Sequence, residues 1–476
     1  MNPTSAESGA DQPTLSFASL PLAPATLVNL EQLGYRQMTP IQAASLPLAL
    51  AGHDLIAQAK TGSGKTAAFA LTLLTKLNPR RFAVQALVLC PTRELADQVS
   101  QEIRRLARGA DNIKVLTLCG GSTMRPQISS LEHGAHVVVG TPGRIMDHLQ
   151  RASLDLSALD TLVLDEADRM LDMGFHDDIV FVARACPDVR QTLLFSATYP
   201  EGIATLARTF LRKPQQITLT ERHEPDKIRQ RFYEVDNDQR LAAVPLLLRH
   251  YRPVSTLAFC NTRQQCRDLL QVLRAEGYVA LALHGELEQR ERDQVLIQFA
   301  NRSCSILVAT DVAARGLDID QLEAVINVDI TPDSEVHVHR IGRTGRVDQA
   351  GWALSLVSSN QKGRVANIVK TLGVEVEWHP LSDLHTAGDG KPLLPPMATL
   401  LILGGRKEKL RPGDVLGALT GEAGFSKEQI GKINVTDTST YVAVERSIAQ
   451  EALRKLSAGT IKGKRVKVHL LSDKGG

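Results

Sequence analysis

The sequence predicts an α/β protein with two tandem parallel-sheet domains and a smaller C-terminal α+β domain. Short apolar, β-rich runs alternate with longer helix-like segments through most of the chain, a pattern typical of strands buried on both faces of a parallel sheet. A charged stretch near residue 220 interrupts the alternation, and Gly, Pro and polar residues accumulate at 381–397. These two breaks divide the 476 residues into three domains, which agrees with a length prior of about three.

The first domain is predicted at 15–211, between a disordered tail at 1–14 and a linker at 212–228. Its strands are expected at Leu55–Ala57, Ala86–Cys90, Val115–Cys119, His136–Val139, Thr161–Leu164 and Thr192–Phe195. Polar motifs follow most of these runs. Because ligands of open α/β sheets bind at the carboxyl ends of the strands, these motifs are candidates for function.

The second domain is predicted at 229–380 and repeats this arrangement. Its strands are expected at Thr256–Phe259, Val279–Leu283, Ile306–Ala309, Ala324–Val328 and Ala353–Val357. After a linker at 381–397, the third domain at 398–476 has the element order β-α-β-β-α-β. Its strands are expected at 400–403, 430–435, 441–444 and 465–470, and its helices at 412–422 and 447–457.

The composition narrows the class of protein. With 43% hydrophobic and 22% charged residues the chain is typical of globular proteins. We find neither a signal peptide nor an apolar run of the roughly 18 residues that a membrane span needs. Six scattered cysteines without a C-x-x-C pair predict reduced thiols in a cytoplasmic protein and no zinc site.

A glycine-rich phosphate loop follows the first strand, with the sequence AKTGSGKT at residues 59–66. Such a loop presents backbone N–H groups to phosphates at the start of a helix. We expect Lys65 to reach the β- and γ-phosphates of ATP and Thr66 to hold Mg²⁺. The expected nucleotide contacts in this loop are Ala59, which stands where the usual pattern has glycine, Thr61, Gly62, Ser63, Gly64, Lys65 and Thr66.

The acidic segment Asp165-Glu166-Ala167-Asp168 follows an apolar strand. Carboxylates at the end of a buried strand are unfavourable unless a cation lies there. We expect Asp165 to bind Mg²⁺ through water and Glu166 to orient and deprotonate the attacking water. Asp168 is expected to couple this site to neighbouring motifs.

Two arginines in the second domain, Arg343 and Arg346, lie three residues apart in a Gly-containing segment. Guanidinium groups in this arrangement suit the charge that develops on a transferred γ-phosphoryl group, and such arginine fingers contribute roughly 10³–10⁵ in rate. ATP hydrolysis is therefore expected to require closure of the two domains.

Together and in this order, the motifs resemble those of DEAD-box RNA helicases of superfamily two, over residues 17 to about 360. The resemblance implies two RecA-like domains and an RNA-stimulated ATPase that uses ATP and Mg²⁺ to separate short RNA duplexes locally. It implies that Gln42 pairs with adenine and that Phe17 offers the base a stacking face. It also implies nucleotide contacts from Gly316 and Asp318 in the second domain.

The same resemblance implies a set of RNA contacts and a set of coupling residues. The RNA contacts are Arg93, Gly121, Thr141, Arg144, Gln264, Arg267 and Thr310. Such groups suit phosphates and 2′-hydroxyls, so little sequence preference is expected from them. The residues that couple hydrolysis to strand separation are Ser196, Thr198, Asp168 and His339.

The C-terminal residues 396–476 carry a net charge of +6, which leaves −3 for the rest of the chain. This asymmetry indicates an anionic partner for the tail. The element order resembles an RRM-like module, but the first predicted strand has no aromatic residue for base stacking. The basic residues expected to bind RNA lie mainly in loops: Arg406, Lys407, Lys409, Lys462, Lys464 and Arg465. Whether these loops or the sheet face bind RNA stays open.

The segments 411–421, 430–433 and 461–464 resemble the C-terminal domain of a bacterial group of DEAD-box proteins. This resemblance implies a tail that binds a hairpin of large-subunit ribosomal RNA, with pre-ribosomal particles as partners. It also implies a role in assembly of the large ribosomal subunit.

Three other functions stay open at this point. A DNA helicase or translocase would be stimulated by DNA as well as by RNA. An ATP-gated RNA clamp, or a general RNA remodeller without ribosomal specificity, would differ in strand separation or in substrate choice. A P-loop kinase or transport ATPase is disfavoured by the paired arginines and by the lack of membrane segments.

Overall fold

The computed structural model describes residues 16–59, 62–110, 112–199, 201–219, 228–314, 322–345, 350–372, 376–386 and 390–471. Contacts divide these residues into two compact units, one through residue 219 and the other from residue 228 onward. The predicted disordered tail at 1–14 lies outside the described residues.

The first unit contains a seven-stranded sheet in which every pairing is parallel. The strands are β1 (Leu55–Gln58), β2 (Ala86–Leu89), β3 (Val115–Leu118), β4 (Val137–Gly140), β5 (Thr161–Leu164), β6 (Gln191–Ser196) and β7 (Gln215–Thr218). Their order across the sheet is β3-β4-β2-β5-β6-β1-β7. The first six strands agree with the sequence prediction. The seventh lies inside the predicted linker 212–228 and extends the sheet into that segment.

Helices cover both faces of this sheet. They are α1 (Pro24–Gln32), α2 (Pro40–Leu50), α3 (Lys65–Lys76), α4 (Arg93–Leu106), α5 (Met124–Glu132), α6 (Pro142–Gln150), α7 (Ala167–Asp172), α8 (His176–Ala185) and α9 (Glu201–Phe210). Alternate residues of β1 enter two different core clusters, Leu55 and Ala57 on one side and Ile56 on the other. The central strands are therefore largely apolar, because both of their faces are buried.

The second unit begins with another seven-stranded parallel sheet. Its strands are β8 (Ile228–Glu234), β9 (Thr256–Cys260), β10 (Ala280–Leu283), β11 (Ile306–Thr310), β12 (Ala324–Asn327), β13 (Gly351–Val357) and β14 (Trp378–His379), in the order β10-β11-β9-β12-β13-β8-β14. The sequence did not predict β8 or β14. The first contains three charged residues, Arg229, Arg231 and Glu234, and the second is two residues long.

The helices of this domain are α10 (Arg240–Tyr251), α11 (Arg263–Ala275), α12 (Gln289–Ala300), α13 (Asp311–Ala314), α14 (Ser334–Ile341) and α15 (Lys362–Leu372). Part of the predicted linker 381–397 packs on the domain, because Leu381 and Leu384 join its apolar core.

The third domain is an antiparallel four-stranded sheet with two helices on one face. It comprises β15 (Met397–Ile402), α16 (Pro412–Gly417), β16 (Ile430–Val435), β17 (Thr440–Glu445), α17 (Ala449–Ala458) and β18 (Val468–Leu470). The strand order is β16-β17-β15-β18. The β-α-β-β-α-β prediction is confirmed, but the helix expected over 412–422 ends at Gly417 and continues as a π-helical turn. The last strand begins at Val468, so Arg465 lies in the preceding loop.

None of the described helices has the length and apolarity needed to cross a membrane. All six cysteines are buried.

Candidate nucleotide and RNA sites

The phosphate loop joins β1 to α3 and has the backbone shape that its glycines predict. Gly62 and Gly64 adopt φ of 82° and 94°, a region that only glycine enters without strain. Lys65 is the first residue of α3 and is 6% exposed, and its Nζ donates to the Ala59 carbonyl oxygen at 2.7 Å. The predicted phosphate-binding lysine therefore lies folded against its own loop. Thr66 and Ser63 are half-buried, and Thr61 lies outside the described residues.

Gln42 connects helix α2 to this loop. Its Oε1 accepts from the Thr39 backbone N–H at 2.9 Å, which caps α2, and its Nε2 donates to the Gly64 carbonyl oxygen at 3.0 Å. A Cβ atom on Gly64 would lie 2.5 Å from Gln42 Nε2. The residue predicted to read adenine is thus also a structural contact of the phosphate loop.

Phe17 lies in the apolar core of the first unit and is 3% exposed. Its ring meets Tyr35 edge to face, with centroids 6.1 Å apart. The predicted stacking of this ring on adenine stays a prediction.

Asp165 follows β5 directly and is 3% exposed. Burial raises the pKa of this carboxyl to about 7, although the positive charge of Lys65 acts in the opposite direction. A buried carboxylate that is costly to ionise fits a group that a cation stabilises. Thr66 and Asp165 together offer one hydroxyl and one carboxylate. That donor set suits Mg²⁺, which usually takes one or two protein oxygens beside phosphates and water.

Glu166 is held by a neighbour that the sequence interpretation missed. It adopts a left-handed backbone with φ of 51°, and its Oε2 accepts from Arg169 Nη1 at 2.9 Å. Both side chains are less than 10% exposed. The i,i+3 spacing of Arg169 and Glu166, the N-cap residue of α7, was the available signal, but the sequence interpretation considered only the carboxylates of this segment.

Asp168 connects the acidic segment to the motif after β6. Its Oδ2 accepts from the backbone N–H of Ala197 at 3.1 Å, from that of Thr198 at 2.9 Å and from the Thr198 hydroxyl at 3.0 Å. The Ser196 hydroxyl accepts from the Asp168 backbone N–H at 3.3 Å. Burial opposes ionisation, but the Thr198 and Ser196 hydrogen bonds and the charge of Lys65 lower the pKa of Asp168 below its ordinary value.

The predicted RNA contacts of the first unit follow the carboxyl ends of β2, β3 and β4, three neighbouring strands on the opposite side of the sheet from β1. Gly121 has φ of 75°, and a Cβ atom there would overlap the guanidinium of Arg93. Arg144 donates from Nη2 to the Ser122 carbonyl oxygen at 3.1 Å. Thr141 is the N-cap residue of α6 and is 9% exposed. The sheet order thus separates these residues from the nucleotide residues on β1 and β5, with β5 next to β2.

In the second unit, a buried arginine anchors two predicted motifs. Arg340 is 2% exposed and donates to Asp311 from Nε at 2.6 Å and from Nη2 at 2.7 Å. Asp311 follows Thr310, a predicted RNA contact that is 9% exposed. Arg340 also stands between His339, which is half-buried, and Arg343, which is 6% exposed. The sequence interpretation gave Arg340 no role, although its motif was noted.

Gln264 and Arg267 lie on the first turns of α11 and contact each other, Nη2 to Oε1, at 3.0 Å. Glu286 accepts from both Arg267, at 2.7 Å, and Arg263, at 2.8 Å. The predicted sites Gly316, Asp318 and Arg346 lie outside the described residues.

The third domain has a basic cavity of about 570 Å³ at the edge of its sheet. Its charged lining residues are Arg406, Lys409, Arg411 and Lys462. Lys462 Nζ donates to the Lys409 carbonyl oxygen at 3.0 Å, so the two loops that carry the positive charge lie together. Lys464 and Arg465 are exposed in the loop after Lys462, and Lys407 is exposed beside Arg406.

These sites define the class of protein, an ATPase that acts on RNA. Family models match the chain along its length: DEAD/DEAH box helicase at residues 39–206, helicase conserved C-terminal domain at 239–348 and DbpA RNA binding domain at 399–470. The chain belongs to the DEAD-box family of ATP-dependent RNA helicases.

Relatives are similar over most of their length. The chain is 51% identical to ATP-dependent RNA helicase DbpA of Escherichia coli (strain K12) over 451 residues, which cover 94% of this chain and 98% of that protein. It is 42% identical to DEAD-box ATP-dependent RNA helicase CshA of Geobacillus kaustophilus over 79% of this chain and 80% of that one. Among solved structures, S. cerevisiae Dbp5 bound to RNA and ADP BeF3 matches with a TM-score of 0.71 and 32% identity, over 77% of this chain and 96% of that one.

Proposed function

We propose that this RNA helicase is directed to large-subunit ribosomal RNA by its third domain and acts in the cytoplasm during ribosome assembly. The basic cavity between the loops of that domain is the observation that carries the proposal. Four cationic side chains around one concave surface suit the phosphates of a folded RNA. The similarity of this domain to the DbpA RNA binding domain supports RNA as its partner.

In the first unit, we assign ATP to the phosphate loop after β1. Lys65 exchanges its contact with the Ala59 carbonyl for the β- and γ-phosphates. Glu166, already oriented by Arg169, takes the proton of the attacking water. Arg343 and Arg346 supply positive charge to the γ-phosphoryl group from the second domain.

We further propose that Thr66 and, through water, Asp165 would hold Mg²⁺, which the donor set described above suits. When bound, the ion neutralises negative charge on the phosphates. Its charge also favours the ionised form of Asp165, the form that burial disfavours.

The RNA side of the mechanism rests on contacts to the RNA backbone. The proposed contacts are Arg93, Gly121, Thr141 and Arg144 in the first domain and Gln264, Arg267 and Thr310 in the second. Asp168 links the nucleotide site to Ser196 and Thr198, so a change at the phosphates reaches the carboxyl ends of neighbouring strands. The yeast Dbp5 structure, which has RNA and ADP BeF3 bound, supports simultaneous occupation of the two sites.

The expected outcome is local strand separation. Using duplex DNA as a guide, each base-pair step costs about 1.4 kcal/mol. Separation of a few steps per ATP cycle is therefore a reasonable load.

A general RNA remodeller without ribosomal preference is the second candidate, because the predicted core contacts address the backbone and not the bases. The test measures ATPase stimulation by large-subunit rRNA, small-subunit rRNA and matched DNA at equal nucleotide concentration. Large-subunit rRNA is expected to act at the lowest concentration. Equal stimulation by both rRNAs would favour the general remodeller, and stimulation by DNA would overturn the RNA assignment. Crosslinking in cells would then identify the bound element.

A further inference from the structure

Both helices of the third domain pack on one face of its sheet, yet the side chains on the opposite face are also buried. Ala398, Leu400 and Ile402 of β15 point into the core beneath the two helices of the domain. Because side chains alternate along a strand, Thr399 and Leu401 point to the opposite face, as do Tyr441 and Ala443 of the paired strand β17. These four residues are only 1–8% exposed.

The second domain covers this face. Thr399 Oγ1 lies 2.7 Å from the hydroxyl of Ser303 and accepts from Asn301 Nδ2 at 3.3 Å. The backbone N–H of Met397 donates to the Arg302 carbonyl oxygen at 3.3 Å. Asn301, Arg302 and Ser303 form the turn after α12, and Arg302 takes the left-handed φ of 56°. Burial raises the pKa of Tyr441 on β17, and the charges of Arg290 and Asp293 on α12 act on it in opposite directions, so α12 lies near this strand.

The contact is polar and buried, which makes it specific. Asn301, Ser303 and Thr399 are 3%, 5% and 1% exposed. If the two domains shift out of register, these hydroxyl and amide groups stay buried without their hydrogen-bond partners, which is unfavourable. Such contacts are made in one orientation of the third domain relative to the second and are lost in others. The linker adds to them, because Arg446 Nε donates to the Pro395 carbonyl oxygen at 2.7 Å.

We propose that this sheet face is a docking surface for the second domain, and that Thr399 with Asn301 and Ser303 fixes the direction in which the third domain holds RNA. The face on which an RRM stacks bases is therefore closed, and RNA binds the third domain through the basic cavity at its edge. An RNA element held there reaches the core at a set distance. Thr399, Asn301 and Ser303 are positioning residues. The part of this proposal that concerns the distance between the bound RNA and the core rests on the proposed function, but the docking of the two domains does not.

Docking is tested by distances within the full chain. Labels on Asp238→Cys and Lys432→Cys report on the second and third domains, and both positions are exposed while the native cysteines are buried. We expect a narrow distance distribution that broadens in Thr399→Val and in Ser303→Ala. Thr440→Val is the matched control, because Thr440 is equally buried but its hydroxyl donates within the third domain, to the Gly404 carbonyl oxygen at 2.7 Å. A broad distribution in the unsubstituted chain, or an unchanged narrow one in both docking variants, would overturn the proposal.

Spacing is tested with large-subunit rRNA fragments that join the tail-bound hairpin to a short duplex through spacers of increasing length. The unsubstituted chain should prefer one spacer length, with rates that differ by about fivefold or more across the series, because effective concentration peaks where a linker matches the span. In Ser303→Ala, the rates at different spacer lengths should differ by no more than about twofold. The affinity for the hairpin should not change. A flat response of the unsubstituted chain that binds the hairpin normally would overturn fixed positioning. Failure to bind the hairpin would instead overturn the proposed function, and the label distances would still decide docking.

Discussion

At the scale of single residues, the acidic segment places its three carboxylates in three different environments. Asp165 is a buried carboxyl with a raised pKa, Glu166 is paired to Arg169, and Asp168 accepts hydrogen bonds from the neighbouring motif. Carboxylates one and three residues apart therefore differ in what stabilises their charge. The roles assigned to them follow from these environments.

Glu166→Gln is expected to keep ATP binding and to lower turnover by about 10²–10⁴, the usual contribution of a general base. The Gln amide oxygen still accepts from Arg169, so the fold should persist. Single-turnover hydrolysis and affinity for a fluorescent ATP analogue measure the two effects. Glu201→Gln is the control, because Glu201 pairs with Arg208 on the surface, with 82% of its side chain exposed. Near-normal hydrolysis by Glu166→Gln would remove Glu166 as the base.

The buried side chain of His337 is expected to make the stability of the second domain decrease at acidic pH. It is fully buried, it stacks on Phe232 at 6.2 Å, and its ring nitrogens have no hydrogen-bond partner among the described residues. Burial, with a smaller contribution from the charge of Arg340, lowers its pKa to about 4. Between pH 4 and 6.5 the unfolded chain therefore binds more protons than the folded one, and stability falls as the pH decreases through this window.

His337→Phe should remove this contribution, which amounts to about 1 kcal/mol between pH 7.5 and 5.5. Urea unfolding at the two pH values measures it, and the loss of stability on acidification should become smaller. His133→Phe makes the same change at an exposed position and should leave the pH dependence unaltered. An identical pH dependence in His337→Phe and the unsubstituted chain would contradict the prediction.

At the scale of secondary-structure elements, the phosphate loop depends on the helix that precedes it. Gly64 has φ of 94° and touches Gln42 and Thr39 at the start of α2. The sequence identified both motifs separately. The contact between them could not be predicted, because it joins residues 22 positions apart through a side-chain amide.

Gly64→Ala is expected to weaken ATP binding by at least about tenfold, since its Cβ would displace the Gln42 amide and break its partly buried hydrogen bond to the loop, at a cost of about 1–3 kcal/mol. Gly52→Ala is a close control. Gly52 has φ of 90°, and no atom lies within 4 Å of its added Cβ, so it carries the backbone strain without the overlap. Nucleotide titration measures affinity, and thermal unfolding measures strain. An equal loss of ATP affinity in Gly64→Ala and Gly52→Ala would mean that backbone strain, and not overlap with Gln42, weakens binding.

The strands that the sequence missed share a physical cause. The predicted strands are continuous apolar runs, whereas β7 has one buried residue among four and β8 carries alternating charges. Strands near the edge of a sheet lose the apolar pattern, because one of their faces or edges meets solvent. Hydrophobic runs therefore located most strands of each sheet, but they missed β7, which lies inside the predicted linker 212–228, and β8 and β14 at one margin of the second sheet.

At the scale of the whole molecule, the chain combines two parallel-sheet domains with a basic C-terminal domain. The domain order and the basic loops were predictable, since the order of the motifs indicates the domains and the composition of the C-terminal residues indicates the basic loops. The docking of the third domain was not, because Asn301, Ser303 and Thr399 are uncharged residues in unremarkable segments whose contact exists only in the folded chain. Removing residues 396–476 would uncover this buried contact as well as remove the RNA site. Substitutions at the basic cavity test RNA targeting without that complication.

Arg406→Glu with Lys409→Glu should lower the affinity for large-subunit rRNA at least tenfold at about 0.15 M salt, because both side chains line the basic cavity and each phosphate that such a group neutralises releases its counterions into solution. ATPase stimulation by saturating generic RNA should not change, since the core contacts are untouched. Lys432→Glu with Arg454→Glu is the control; it makes the same change of charge at exposed positions of the same domain, away from the cavity. Binding is measured over a series of salt concentrations. The cavity variant should reduce the slope of log affinity against log salt by about two phosphate contacts, whereas the control should keep it. Equal losses in both variants would mean that only the total charge of the domain attracts RNA, and the cavity would then have no part in choosing it.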